Sequence, residues 1–396
     1  MPTPSPSPHH RFDLARRRIR TFLRPRVKVF AAPDGLQIGW NVPIPVRDGT
    51  VLRANIFRPP GNDRVPAILS AHPYNKDLIP LKTRSGRGPN LQYRFFPQPA
   101  PIAFSALTSW EAPDPAFWVP RGYAVVNLDL RGGGTSEGAT EPLSQHEAED
   151  YFDVIEWVAA QPWCTGKIGL EGVSYLAISQ YRVATLHPPH LRAICPWEGF
   201  TDLYRDFVRP GGIREKGFSV LWVAMTKKTA RLRSDWAPEL RNRRDRDAWY
   251  EAHTPSLEAI RVPMLVCGSF SDASLHTRGS FEAFRRAGSP QKWLYTHREG
   301  KWSEFYSPSS QAVRQRFFDH FLKDLDNGWD REPPVRLAIY EGGSQPAAVV
   351  SGPAWPPPDV TWTELFLDAA SRSLQPRLSP RPSSARLALP TAELKF

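Results

Sequence analysis

Cysteine is scarce in this chain. Cys164, Cys195 and Cys267 stand far apart, two of them inside apolar strand patterns, so neither a disulfide framework nor a cysteine-based metal site follows. No apolar run reaches the eighteen or so residues that a membrane-spanning helix needs. The opening MPTPSPSPHH has no apolar stretch behind positive charges, so no secretory signal is read there. Together these absences fit a reducing compartment and suggest a cytoplasmic protein. Nucleotide-binding loops are missing as well. The glycine-rich run Asp129 to Gly134 lacks both a Walker lysine and the Gly-x-Gly-x-x-Gly spacing, and is read as a backbone crossing point beneath a site.

What is abundant is proline, 42 residues, and positive charge, +11 net. Proline at about twice its average share implies many rigid loops. The charge concentrates in Arg16, Arg17, Arg18, Arg20, Arg24 and Arg26, and again from Arg231 to Arg246. Such runs can hold phosphates, but the aromatic interleaving of a nucleic-acid platform is missing, so they are read as solvated faces and no nucleic-acid partner is expected.

Chemistry enters at Gly172-Val173-Ser174-Tyr175-Leu176-Ala177, which follows the short strand Ile168 to Glu171 and precedes a helical pattern. A strand that turns sharply into a helix pushes one side chain upward and aims backbone N–H groups at the same point. A serine there can attack an acyl carbon. Its partners are expected in the order serine, acid, histidine, each past a later strand. Asp272 follows the strand ending at Gly268, and His297 follows the strand Lys292 to Thr296, so Ser174, Asp272 and His297 are the expected triad. His276, four residues past Asp272, is read as capping or packing at a helix start. His320 falls in a helical pattern and is read as structural. His72 follows an early strand and is expected to face the site without being its base. A helix N-cap is the alternative reading of Asp272, set below its place in the triad.

These segments resemble the CocE/NonD family of serine hydrolases, which includes cocaine esterase and glutaryl acylases and is related to X-Pro dipeptidyl peptidases. The resemblance is carried by Val46 to Pro59, His72 to Lys76, Asp129 to Gly138, Gly172 to Ala177, Asp202 to Arg205 and the regions of Asp272 and His297. It implies an acyl-enzyme on Ser174 and an oxyanion hole made by the Tyr175 backbone N–H and the Tyr74 phenol, with no cofactor and no metal. The family's glycine three places after the serine is Ala177 here, which adds a methyl where helix and strand approach. The expected substrate is a small-molecule or short-peptide ester or amide. Glu198 is the one candidate to anchor a free substrate amine. Acyl transfer on the same site, or a catalytically inactive scaffold, are the alternatives, and a homo-oligomer is compatible with the sequence.

The layout expected is α/β: an α/β-hydrolase doubly wound, mostly parallel sheet with a helical cap insertion and a partial, jelly-roll-like β segment at the end. Residues 1–31 read as a disordered basic tail, 32–330 as the hydrolase domain with its cap at 196–261, and 331–396 as a truncated β-rich segment. Asp48-Gly49 marks a hairpin turn, and Val335 to Tyr340 and Thr361 to Leu367 read as strands. In the cap, Trp197, Phe200, Phe207, Phe218 and Trp222 are the candidate substrate-binding aromatics, although aromatics in a small cap commonly pack on one another.

Overall fold

The computed structural model describes residues 22–385 apart from 84–85, 97, 273–274 and 342–344. The chain divides into two compact units, Met1–Pro353 and Ala354–Phe396. The first is organised around a ten-stranded sheet. In chain order the strands of this unit are β1 (Val27–Phe30), β2 (Gln37–Pro45), β3 (Val51–Arg58), β4 (Val65–His72), β5 (Leu81–Thr83), β6 (Gly86–Gly88), β7 (Ile102–Ser105), β8 (Ala124–Asp129), β9 (Cys164–Val173), β10 (Leu191–Trp197), β11 (Met264–Ser269), β12 (Lys292–His297), β13 (Val335–Ile339) and β14 (Ala348–Gly352). The main sheet runs β14-β13-β12-β11-β10-β9-β4-β8-β3-β2. From β13 to β8 every pairing is parallel, and antiparallel strands close each side.

Burial explains this order. All eight residues of β4 and all six of β8 are buried, as strands covered on both faces must be. Among the helices are α1 (Gln145–Ala159), α2 (Tyr175–Ala184), α3 (Phe218–Thr229), α4 (Trp236–Asn242), α5 (Ala248–Ala252), α6 (Thr277–Arg286), α7 (Lys301–Phe305) and α8 (Pro308–Lys323), of which α1, α2, α6 and α8 pack on the sheet. Ser144 caps α1, its hydroxyl accepting from the Glu147 N–H, a bond whose loss typically costs about 1 kcal/mol. The Asp48-Gly49 hairpin forms between β2 and β3, with Gly49 at φ +83° and the Asp48 carboxylate accepting from the Thr50 N–H.

Three boundaries differ from the sequence reading. The tail expected to reach residue 31 is ordered by Val27–Phe30, which pairs in parallel with Ile102–Ser105; residues 1–21 lie outside the described residues. The α/β unit does not stop at 330, because β13 joins β12 in parallel at Leu294 and Tyr295 and brings β14 with it. In the second unit the expected strand from Thr361 shortens to β15 (Phe366–Asp368), paired antiparallel with β16 (Ser373–Gln375). The segment 196–261 is helical as expected and carries α3, α4 and α5. It is tied to the body where the Arg231 N–H donates to Gly132 O and the Thr140 N–H donates to Arg231 O. Two of its arginines are paired: Arg243 with Glu239 and Asp247, Arg246 with Glu251 and Asp202.

Candidate active site

Ser174 sits at the junction of β9 and α2 with φ +59° and ψ −118°. A non-glycine backbone in that region costs on the order of 1–3 kcal/mol and persists only where its surroundings enforce it. Here the turn is held by the Ser174 N–H donating to Trp197 O at 3.2 Å. Gly172 is required by close approach: a Cβ at this position would lie 2.4 Å from Leu176 Cβ. Ala177, in place of the family's glycine, is accommodated from the other side. A Cβ on Gly199 would stand 2.9 Å from Ala177 Cβ, so the missing methyl at 199 makes room for the extra one at 177.

The Ser174 hydroxyl meets His276, not His297. Ser174 Oγ lies 3.2 Å from His276 Nε2, and His276 Nδ1 contacts Asp272 Oδ2 directly. The imidazole is 1% exposed and stacks on Phe200 with planes 12° apart. Asp272 and His276 are four residues apart at the entry to α6, so a single turn of chain carries both groups. The base assigned to His297 from strand order is thus corrected. His297 ends β12 as expected, but its Nε2 is 3.1 Å from Glu198 Oε1, and its ring lies on Trp197. Burial opposes a charge on His297, yet the Glu198 bond prevails and holds its pKa above the ordinary value. The same bond occupies one oxygen of Glu198, the residue considered as an amine anchor.

Lys301, at the start of α7, is a participant that the sequence reading missed. Its Nζ is 3.2 Å from Asp272 Oδ2 and 3.1 Å from His276 Nδ1. Burial alone would raise the Asp272 pKa; Lys301 and His276 overcome it and hold the carboxyl well below its usual range. Burial and Lys301 together lower the His276 pKa, against the opposing pull of Asp272. Glu111, buried and bonded to the Trp302 indole at 3.1 Å, is pushed up to about 8 by desolvation.

Tyr74 follows β4 and is buried, its pKa raised well above the ordinary phenol by desolvation and the charge of Glu111. Its turn is pinned by Lys76, whose backbone N–H donates to Asp129 Oδ1 at 2.5 Å and whose ammonium contacts Asp129, Asp77, Asn41 and Thr135. Asn75 takes φ +85° between them. The Trp222 indole N–H donates to Tyr74 Oη at 3.1 Å, which leaves the phenol proton to donate elsewhere. Tyr175 opens α2, where the first N–H groups of a helix have no intrahelical acceptor; its hydroxyl is tied to Glu147 at 2.8 Å. His72 is wholly buried and lowered to about 3 by desolvation and Lys76, so it is neutral beneath the site.

A cavity of about 10 Å³ adjoins Ser174, Tyr74 and His276. Of the five aromatics singled out by sequence, Phe200, Phe207, Phe218 and Trp222 line it. Trp197 does not, which corrects that assignment. It is fully buried in β10 against Tyr295 and Phe305, with the Arg314 guanidinium 5.0 Å from its ring. His320 lies on α8, its ring nitrogen 3.2 Å from Leu325 O. A larger cavity of about 780 Å³ lies at the opposite end of the strands, between Leu191, Pro263, Gln291 and α8.

Comparison with known proteins agrees with the fold. The family model for X-Pro dipeptidyl-peptidase, S15 family, matches residues 48–253, just over half of the chain. The chain belongs to that family. It is 34% identical to cocaine esterase from Rhodococcus sp. (strain MB1 Bresler) over 202 residues, 50% of this chain and 30% of that one. A putative Xaa-Pro dipeptidyl-peptidase of Bacillus anthracis is 26% identical over 251 residues, 55% of this chain and 41% of that one. Among solved structures, a CocE/NonD family hydrolase from Staphylococcus aureus superposes with a TM-score of 0.80 at 36% identity, covering 86% of this chain and 60% of that one. The S15 chain described here therefore spans less than half the length of these two curated relatives. The α/β-hydrolase fold and the CocE/NonD kinship read from the sequence stand. Among the described residues no helix is long and apolar enough to cross a membrane.

Proposed function

We propose that this S15 chain is a serine hydrolase that cleaves a carboxylic ester or amide through an acyl-enzyme on Ser174. The observation that carries the reading is the 3.2 Å contact of Ser174 Oγ with His276 Nε2, with Asp272 on the other ring nitrogen. An alcohol is a weak nucleophile at neutral pH, so His276 removes its proton as Ser174 attacks, and Asp272 fixes the tautomer with the proton on Nδ1. The carbonyl oxygen becomes an anion, for which the Tyr74 phenol and the Tyr175 backbone N–H are the donors at hand. The imidazolium then protonates the leaving group. Water, activated by the same imidazole, attacks the acyl-serine and regenerates the hydroxyl. Phe200, Phe207, Phe218 and Trp222 around the cavity favour an apolar acyl group in a small molecule or short peptide.

Reaction with a fluorophosphonate probe tests the proposal. Labelling at Ser174 that disappears in Ser174→Ala, together with hydrolysis of members of a panel of aryl esters, amides and X-Pro anilides, is the expected result. A folded protein that stays unlabelled would overturn it in favour of a binding or scaffold role.

A further inference from the structure

The groups around His276 carry one inference more. Gly300 is packed so tightly that a Cβ there would lie 2.5 Å from both Gln98 Oε1 and Pro99 Cδ. Gln98 Oε1 also accepts from the Trp302 and Ser303 N–H groups. The start of α7 is thereby fixed, and Lys301 is turned inward, its side chain 15% exposed. A lysine ammonium is a strongly hydrated point charge that is rarely withdrawn from water without carboxylate company. Asp272 at 3.2 Å is the nearest, and the charge of Glu198 also acts on it.

We propose that Lys301 is a positioning residue for the base: its ammonium keeps Asp272 ionised, so that this carboxylate holds the tautomer of His276 that can receive the serine proton, and it opposes a standing positive charge on the imidazole. This rests on the reading of Ser174 and His276 given above. An ammonium can only donate. If Lys301 donated to a bare Nδ1, the ring proton would sit on Nε2 and Ser174 would face no base. The carboxylate of Asp272 is the stronger acceptor, so Nδ1–H and the ammonium both donate to it and the lone pair on Nε2 faces Ser174. The groups facing His276 are Asp272 from the same loop, Ser174 from the β9–α2 turn, Lys301 from α7, and Glu198 through its charge from the end of β10. With Lys301 removed, only burial would oppose the pull of the carboxylates, and His276 would hold its proton to a higher pH. Burial and Lys301 lower the His276 pKa in keeping with this.

The test is the pH dependence of fluorophosphonate labelling at Ser174, which needs no knowledge of the natural substrate. In the unaltered protein the acid limb is expected below pH 6.5, the ordinary histidine value. Lys301→Met and Lys301→Gln should raise that limb by about one pH unit or more, the usual effect of one charge at this distance, whereas Lys301→Arg should leave it near its original position. A limb at or above pH 6.5 in the unaltered protein overturns the proposal, and it does so even if no Lys301 variant folds. So does an unmoved limb in a folded, labelled Lys301→Met or Lys301→Gln protein. Absence of labelling in the unaltered protein would instead remove the hydrolase reading on which this one stands.

Discussion

Two histidines compete for one role, and replacing each separates them. His276→Ala removes the ring 3.2 Å from Ser174 Oγ, so the hydroxyl must shed its proton unaided. Loss of the base in a serine triad typically costs about 10⁴–10⁶ in rate, or about 5–8 kcal/mol at 1.36 kcal/mol per decade. His297→Gln makes a different change. His297 and Glu198 are both buried, and their 3.1 Å contact is a structural pair beside the site. Breaking such a pair by removing one partner costs about 3–5 kcal/mol, which Gln, still able to donate, partly spares. The labelling rate at Ser174, measured per folded molecule after a circular-dichroism melt, should therefore fall at least a thousandfold in His276→Ala. In His297→Gln it should stay within about tenfold, while the melting temperature drops. If His276→Ala labelled normally and a folded His297→Gln did not, the Ser174–His276 contact would have no catalytic meaning.

Other consequences can be measured on the same protein. Tyr74→Phe removes the phenol donor and should lower kcat on an aryl ester by about 10²–10³ with little change in KM; a loss under fivefold would remove Tyr74 from the oxyanion hole. Trp222→Phe deletes the indole N–H that donates to Tyr74 Oη at 3.1 Å, so its cost in kcat should be several-fold alone and vanish in the Tyr74→Phe background, as a double-mutant cycle would show. Gly199→Ala should destabilise by about 1–3 kcal/mol through overpacking against Ala177. The pair Gly199→Ala with Ala177→Gly should recover most of that loss in a thermal melt, and a failure to recover would mean that the two methyls do not compete.

Much of this architecture was legible because it rests on local chemistry. The Gly172 to Ala177 turn needs a glycine for close approach and a strained serine, and both leave a sequence mark. The buried strands β4, β8, β11 and β12 show as apolar runs ending in turn residues. Two kinds of feature were not legible. The first is long-range pairing of short strands: nothing in Val27–Phe30 announces Ile102–Ser105 as its partner, and nothing in Val335–Ile339 says that it extends the parallel sheet and does not found a separate one. The second is the base. Strand order places a histidine after β12, and His297 stands there, but catalysis needs a ring between one carboxylate and one serine. The Asp272 and His276 spacing of four was a usable signal, since groups so spaced share one face of a helical turn. It lost to a rule of topology that says where a histidine is usual, not which histidine can reach. Lys301 left no signal, because its inward turn is set by the packing of Gly300 against Gln98 and Pro99.

The cavity beside Ser174 connects the catalytic groups to the cap. About 10 Å³ is room for one water molecule, far short of the 300 Å³ or so that a small-molecule pocket commonly offers. Phe218 and Trp222 line it from α3, and Phe207 from the helical turn Leu203–Val208. Trp222 also stacks on Tyr175 at 14° and bonds Tyr74. On the proposed mechanism an acyl group would enter only if these rings moved, and the same movement would loosen the indole from the phenol. The indole N–H occupies a lone pair of Tyr74 and leaves its O–H to donate elsewhere. For this reason the cost of Trp222→Phe should appear in kcat and not only in substrate affinity.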